Sequence, residues 1–226
     1  MQYTWGPIDS PWLYEEENCW GNLFDNAPSK MVKKNTVLFH EGQDAVSVFY
    51  VQKGRFRISS CQEDGNEKQL YIAEQGAVCG ERECIAEIPM TATAMAIVDS
   101  RVFYISKTDF ISRVSSDPRL TWRILEYETR KNFLLQKQVL SLSFAPASMR
   151  LARTLVDLSH LYGKETKQGH SITIRFTKNE IAGLVGTSRV TASNELAKME
   201  SEGILARINS YYIIKDMERL MKMAGF

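Results

Sequence analysis

The spacing of hydrophobic and polar positions divides the chain into four stretches. Residues 1–30 show no period: Trp5, Trp12, Tyr14 and Trp20 are scattered among Pro7, Pro11 and Pro28. This reads as an irregular strap on the next domain, with room for one short helix over 15–25. From 31 to 116 the pattern changes to short alternating or β-branched runs at 36–39, 46–51, 55–60, 69–72, 91–97 and 101–105. Turn signals separate them: Glu41-Gly42, Lys53-Gly54, Asp64-Gly65 and Gln75-Gly76. Asp-Gly between strand-like runs predicts a hairpin, because the tight turn demands positive φ. Many short strands at regular intervals predict a β-roll, sandwich or barrel.

A helical period follows over 117–145. Leu120, Ile124, Tyr127, Leu134 and Ser141 share one row, which Lys131 and Gln138 interrupt. Leu125, Leu135, Val139 and Leu142 form an adjacent row. Two apolar seams on one long helix predict packing on its own domain and on a partner helix, hence a parallel dimer. Ala145-Pro146 ends the period, since the residue before proline is pushed out of helical space. Residues 146–226 then predict a helix (148–161), an extended stretch (171–176), two short helices (177–185 and 188–202), a hairpin (205–208 with 211–214) and a last helix from Asp216.

Charge sharpens this division. The whole chain has 28 Lys+Arg and 27 Asp+Glu. From Pro146 onward there are 12 Lys+Arg against 8 Asp+Glu, a net +4, which leaves −3 for the remainder. The C-terminal third is therefore the candidate for a polyanionic partner. No apolar run reaches the ~18 residues of a membrane span. Residues 1–17 contain acids and no Lys or Arg, unlike a signal or transit peptide, so the expected location is the cytoplasm and no membrane partner is expected. Cys19, Cys61, Cys79 and Cys84 lack paired zinc spacing and are too few for a disulfide scaffold, so structural thiols are expected.

The densest motif lies at 177–202. Thr177-Lys-Asn-Glu180 has the form of a capping box, with Ile181, Ala182, Leu184 and Val185 as an apolar face. Gly186 supplies a sharp turn, and Thr187 or Ser188 caps the next helix. On that helix Ala192, Leu196 and Met199 share a narrow arc, with Val190, Asn194 and Ala197 roughly opposite. A capped helix, a turn glycine and a second capped helix describe a helix-turn-helix, and the strands around Asn209-Ser210 make it winged. A plain helical hairpin in an unrelated fold is the alternative.

With these motifs in order, the chain resembles the bacterial CRP/FNR superfamily of transcription regulators over nearly its full length. The resemblance rests on Leu38-Phe-His-Glu-Gly-Gln-Asp44, Phe49-Tyr-Val-Gln-Lys-Gly54, Gly76-Ala-Val-Cys-Gly-Glu81, the long helix, and the segment from Phe176 to Arg189. It implies an α+β chain: a strap (1–30), a cyclic-nucleotide-binding-like effector roll (31–116), a dimerisation helix (117–145) and a winged-helix DNA-binding domain (146–226). Effector binding in that family reorients the two recognition helices, and RNA polymerase is a partner there.

The departures matter. Cyclic-nucleotide binders of the family carry an Arg-Ser pair where this chain has Met90-Thr91, so no guanidinium is expected there for a phosphate. Glu81 stands where the family's ribose-binding glutamate does. The oxygen-sensing branch clusters N-terminal cysteines for an iron–sulfur centre, whereas Cys19 stands alone. No cofactor is expected, and haem through the lone His40 is disfavoured. Thr91-Ala-Thr-Ala-Met95 and Val190-Thr-Ala-Ser193 resemble the halogenated-phenol-responsive branch, which holds a phenolate with a cation on the dimer helix. Arg130 falls at the matching place, beside Tyr127 and Lys131, and ordinary solvated charges are the competing account of both cations. The expected effector is a small aromatic acid, halogenated phenols being the example, beside Gly80, Glu81, Met90, Thr91, Tyr127, Arg130 and Lys131. Sensing through Cys79 and Cys84, or no effector at all, are the alternatives.

For DNA, Arg189 suits guanine, Asn194 adenine and Val190 the thymine methyl, with Ser188, Thr191 and Ser193 on phosphates. A dimer implies an inverted repeat with half-sites about one helical turn apart. An enzyme is disfavoured: His40, His160 and His170 are the only histidines and two lie outside the roll. There is also no P-loop, dinucleotide fingerprint or nucleophile elbow.

Overall fold

A computed structural model describes residues 12–13, 15, 19–61 and 67–226. They fall into two compact units, one through Leu135 and one from Gln136. The first unit contains β1 (Trp12–Leu13), β2 (Ser29–Val32), β3 (Val37–Phe39), β4 (Ser47–Lys53), β5 (Phe56–Cys61), β6 (Glu67–Ala73) and β7 (Val78–Cys79). It continues with α1 (Glu81–Ala86), β8 (Thr93–Ala96), β9 (Ser100–Ser106) and α2 (Lys107–Ser116). Helix α3 (Pro118–Phe144) begins there. The second unit holds α4 (Ala147–Tyr162), β10 (Gly163–Thr166), β11 (Gly169–Ile172), α5 (Lys178–Val185), α6 (Arg189–Ser201), β12 (Leu205–Ile208), β13 (Tyr211–Ile214) and α7 (Met217–Ala224).

The first unit is the expected roll. One sheet runs β1-β6-β5-β8-β3 and the other β2-β9-β4-β7. Every pairing is antiparallel except β1 on β6, where the strap adds a short parallel strand, Trp12 beside Ile72 and Leu13 beside Ala73. Val48, Val51, Phe56, Ile58, Tyr71, Ala94 and Val102 share one core. The buried row of α3 closes it: Leu120, Ile124, Tyr127, Lys131 and Leu134. Gly54 joins β4 to β5 at φ +104°, where a Cβ would lie 2.1 Å from Ser100 Oγ, so this turn needs glycine.

Three expectations need correction or limitation. Residues 19–26 form turns rather than helix, because Leu23, Asp25 and Ala27 N–H groups close short loops onto Trp20, Asn22 and Phe24. Residues 16–18 of that stretch lie outside the described residues, as do Trp5, Tyr14 and the Asp64-Gly65 turn, although Cys61 and Glu67 pair on either side of the latter. Helices α1 and α2 were not anticipated, since six and ten residues give a weak period.

In the second unit the sheet order is β10-β11-β13-β12, with all pairings antiparallel. The extended stretch expected at 171–176 is β11, shorter and earlier, paired with an unanticipated β10. Leu151, Leu155, Leu158, Ile181, Leu196, Met199 and Tyr212 fill the core. The capping box forms: Thr177 N–H donates to Glu180 Oε2 at 2.7 Å and Glu180 N–H to Thr177 Oγ1 at 3.2 Å. Thr177→Ala should therefore cost about 1 kcal/mol and lower the melting temperature of this unit by a few degrees, measurable by calorimetry. No described helix is long and apolar enough to cross a membrane.

Candidate effector and DNA sites

The break in the apolar row of α3 marks the interior of the roll. Lys131 is only 4% exposed and Glu81, the first residue of α1, is fully buried. The Lys131 ammonium donates to Glu81 Oε1, lies 3.3 Å from Glu128 Oε1, and sits over the rings of Tyr127 (4.6 Å) and Tyr71 (5.5 Å). Glu81 Oε2 is buried and has no hydrogen-bond partner among the described residues.

Two carboxyl groups share one ammonium in an apolar wall, and their ionisation separates. Burial pushes the Glu81 carboxyl up to about 8, against the pull of Lys131. Burial is the largest influence and would raise Glu128 as well, but the Lys131 charge together with its polar neighbours and Arg82 holds that carboxyl below its ordinary value. Burial opposes the Lys131 ammonium, yet the acidic groups around it keep it well above the usual lysine range. Glu128 is thus the carboxylate that stays ionised, and Glu81 keeps a proton near neutrality.

The expected effector residues separate into three places. Glu81, Tyr127 and Lys131 meet as described, and the Tyr127 hydroxyl is gripped by Val78, accepting from its N–H at 2.8 Å and donating to its carbonyl at 2.9 Å. Gly80 caps α1 at φ +86°, so close to Met90 that a Cβ would lie 3.1 Å from Met90 Cε. Thr91 belongs to a second polar group. Its Oγ1 donates to Glu83 Oε1 at 2.5 Å and accepts from Arg82 Nη2 at 2.6 Å, while Arg82 also pairs with Glu83 at 2.9 Å. The expectation that no guanidinium reaches Met90-Thr91 is therefore corrected: Arg82 supplies one from α1, and Glu83 neutralises it. Arg130 points elsewhere, pairing with Glu15 of the strap, which Arg123 also holds.

Sequence reasoning missed Tyr71, Arg82, Glu83, Glu128 and Glu15. Lys131 in an apolar row was the legible signal for a buried partner, whereas nothing in the spacing ties Glu15 to helix residues 108 and 115 positions later. The thiols give little support to redox sensing. Burial pushes Cys79 up to about 12 and Cys84 up to about 11, leaving little thiolate, and Cys84 Sγ lies 3.5 Å from the Ala45 carbonyl. No group of three or more metal-ligating side chains occurs among the described residues.

In the second unit, Gly186 ends α5 at φ +68° and Ser188 caps α6, accepting from Thr191 N–H at 3.0 Å. Arg150 of α4 staples this turn, donating to the carbonyls of Val185 (2.9 Å), Gly186 (3.0 Å) and Ala145 (2.7 Å). Ala192, Leu196 and Met199 are buried, which leaves Ser188, Arg189, Val190 and Asn194 exposed on α6, Val190 at 69%. Thr191 and Ser193 are half-buried, and Ser193 accepts from Lys178 Nζ at 2.7 Å. Asn209 and Ser210, at φ +50° and +70°, turn β12 into β13, and Arg175 stacks on Tyr211 at 4.9 Å. An exposed polar face on a firmly seated second helix, with a hairpin that carries Arg207, is what insertion into a DNA groove requires.

A roll with a polar cluster under a long helix, followed by such a unit, defines a DNA-binding regulator with a sensory domain. Family comparison agrees: residues 29–117 match the cyclic nucleotide-binding domain and 149–223 the Crp-like helix-turn-helix domain. The chain belongs to the CRP/FNR family of transcription regulators, whose members are not enzymes. It is 26% identical to the CRP-like cAMP-activated global transcriptional regulator of Mycobacterium tuberculosis over 187 residues, 83% of this chain and 84% of that protein. A mutant of CooA from Carboxydothermus hydrogenoformans superposes with TM-score 0.75 at 26% identity, over 93% and 92% of the two chains. OCPA-complexed CprK superposes at 0.71 over 93% and 97%, and at 20% identity this shows a shared fold alone.

Proposed function

We propose that the chain acts as a homodimer that binds an inverted-repeat operator through α6, under control of a small-molecule effector seated between the roll and α3. The exposed face Arg189, Val190 and Asn194, set opposite a buried apolar arc, carries the DNA half of this reading. Dimerisation is supported by the exposed apolar residues of α3: Trp122, Leu125, Phe133, Val139, Leu140 and Leu142. Contact with RNA polymerase follows from the family.

For the effector we infer a small aromatic acid, with chlorinated phenols the first to try. A buried cation beside aromatic rings favours an ionised phenol over the neutral one. Lys131 meets that description inside the roll, while a phenolate on Arg130 must first displace Glu15. Cyclic AMP is a second reading, favoured by the Arg82–Thr91 contact, and there the phosphate must displace Glu83. Titration calorimetry with chlorophenols and with cyclic AMP separates these. Binding lost in Arg130→Ala places the anion on that arginine; equal binding removes Arg130 from the site; saturation by cyclic AMP alone overturns the aromatic reading. A chain that stays monomeric and ignores duplex DNA at low salt overturns the whole.

A further inference from the structure

Arg150, half-buried in the first turn of α4, commits all three guanidinium nitrogens to main-chain carbonyls: Nε to Val185, Nη1 to Ala145 and Nη2 to Gly186. These carbonyls belong to two helix ends. Ala145 closes the last turn of α3, its N–H donating to the Ser141 carbonyl at 3.0 Å, and directly precedes Pro146, the N-cap of α4. Val185 is the last residue of α5 and Gly186 its left-handed cap.

A helix C-terminus leaves carbonyls without intrahelical partners and carries partial negative charge, so one cation set between two such ends satisfies both. The planar fork also fixes the two ends relative to each other, since its donors are rigidly spaced. Lysine, with a single nitrogen, reaches one end and not both. Only Thr187 separates Gly186 from Ser188, the cap of α6, so a shift at Gly186 carries into the first turn of α6, where Arg189 and Val190 stand exposed. All of these residues belong to the compact unit that begins at Gln136.

We propose that Arg150 is the positioning residue that ties the pose of α6 to the end of α3. It acts through the turn rather than on a base. A change in direction of the last turn of α3 moves Ala145, the guanidinium and the turn at Gly186 together, and a load on α6 returns by the same path. This link rests on the operator-binding reading above.

Base-edge hydrogen bonds demand a fixed pose, whereas attraction to phosphates is sequence-independent and tolerates a shifted one. Loss of the link therefore lowers specific binding and spares non-specific binding. Arg153, on the same helix, provides a control. Its Nε donates to the Ala224 carbonyl at the end of α7, so it also staples a helix C-terminus but does not reach the turn before α6.

Fluorescence anisotropy of the full chain tests this on two duplexes: one that the wild type enriches from a randomised inverted-repeat pool, and a scrambled duplex of equal length. Arg150→Lys should bind the enriched duplex about tenfold or more weakly. It should bind the scrambled duplex within about twofold of the wild type and with the same salt slope, since the charge is kept. Arg153→Lys should match the wild type on both. An unchanged ratio of the two affinities in Arg150→Lys, or the same fall in Arg153→Lys, would overturn the proposal. Hydrogen exchange on the wild type needs no variant, and decides alone if Arg150→Lys does not fold. The enriched duplex should slow the Ala145 amide about fivefold or more relative to the scrambled one at equal saturation, and equal exchange would overturn the link to α3. A wild type that binds no duplex would instead overturn the operator-binding reading.

Discussion

Replacing Lys131 by methionine should lower the unfolding free energy by about 3–5 kcal/mol, read from urea unfolding followed by tryptophan fluorescence. The volume and apolar stem survive this change, but the ammonium disappears from between Glu81 and Glu128. Glu81, which keeps its proton near neutrality, and Glu128 then share a wall with Tyr71 and Tyr127 without that ammonium, so Glu128 must also take up a proton or drive the helix away. The deficit should therefore depend on pH. Loss of the ammonium raises both folded-state carboxyl pKa values, and a raised carboxyl stabilises below its unfolded value and loses that stabilisation as pH rises through the folded one. Burial already pushes Glu81 up to about 8, and Lys131 is the main influence that holds Glu128 low. The variant should thus approach the wild type near pH 4 and fall furthest behind above pH 8. Adding Glu128→Gln should restore most of the loss, because it removes the carboxylate left ionised without its cation. Equal stability of wild type and Lys131→Met at pH 8 would show that this cluster is solvated rather than buried.

That cluster also shows where sequence reading works and where it stops. The strands of the roll and the long helix were legible because their periods, two and 3.6, persist over many residues. The pair α5 and α6 was legible from a few positions, since a capping box and a positive-φ glycine are strict local demands met by Thr177, Glu180 and Gly186. Lys131 could be seen as an interruption, but not its partner, because Glu81 reaches it through the closure of the roll across 50 residues. Arg82 was invisible for a related reason. A motif match looks for an arginine at Met90-Thr91, whereas the fold delivers the guanidinium to the same threonine from the neighbouring helix. Arg130 and Lys131 are adjacent in sequence, yet one turns to the strap and the other to the core, since neighbours on a helix point about 100° apart.

The same geometry makes the DNA contacts separable by experiment. Arg189→Ala should weaken operator binding by about 1–3 kcal/mol per half-site, hence about 2–6 kcal/mol for a symmetric dimer, and abolish discrimination at one G·C pair. Asn194→Ala should do the same at one A·T pair. Neither side chain supports the fold, because α6 is seated by Ala192, Leu196 and Met199, so the melting temperature should hold while affinity falls. Lys178→Ala should behave differently. Its ammonium holds the Ser193 hydroxyl at the edge of α6, a position suited to phosphate rather than base edges. Its loss should weaken every sequence alike and reduce the salt dependence of binding by about one charge. Fluorescence anisotropy against a set of single-base operator variants, at two salt concentrations, reads all three at once. If Asn194→Ala binds every base variant as the wild type does, α6 enters the groove on a different face, and the arc through Val190 must be reassigned.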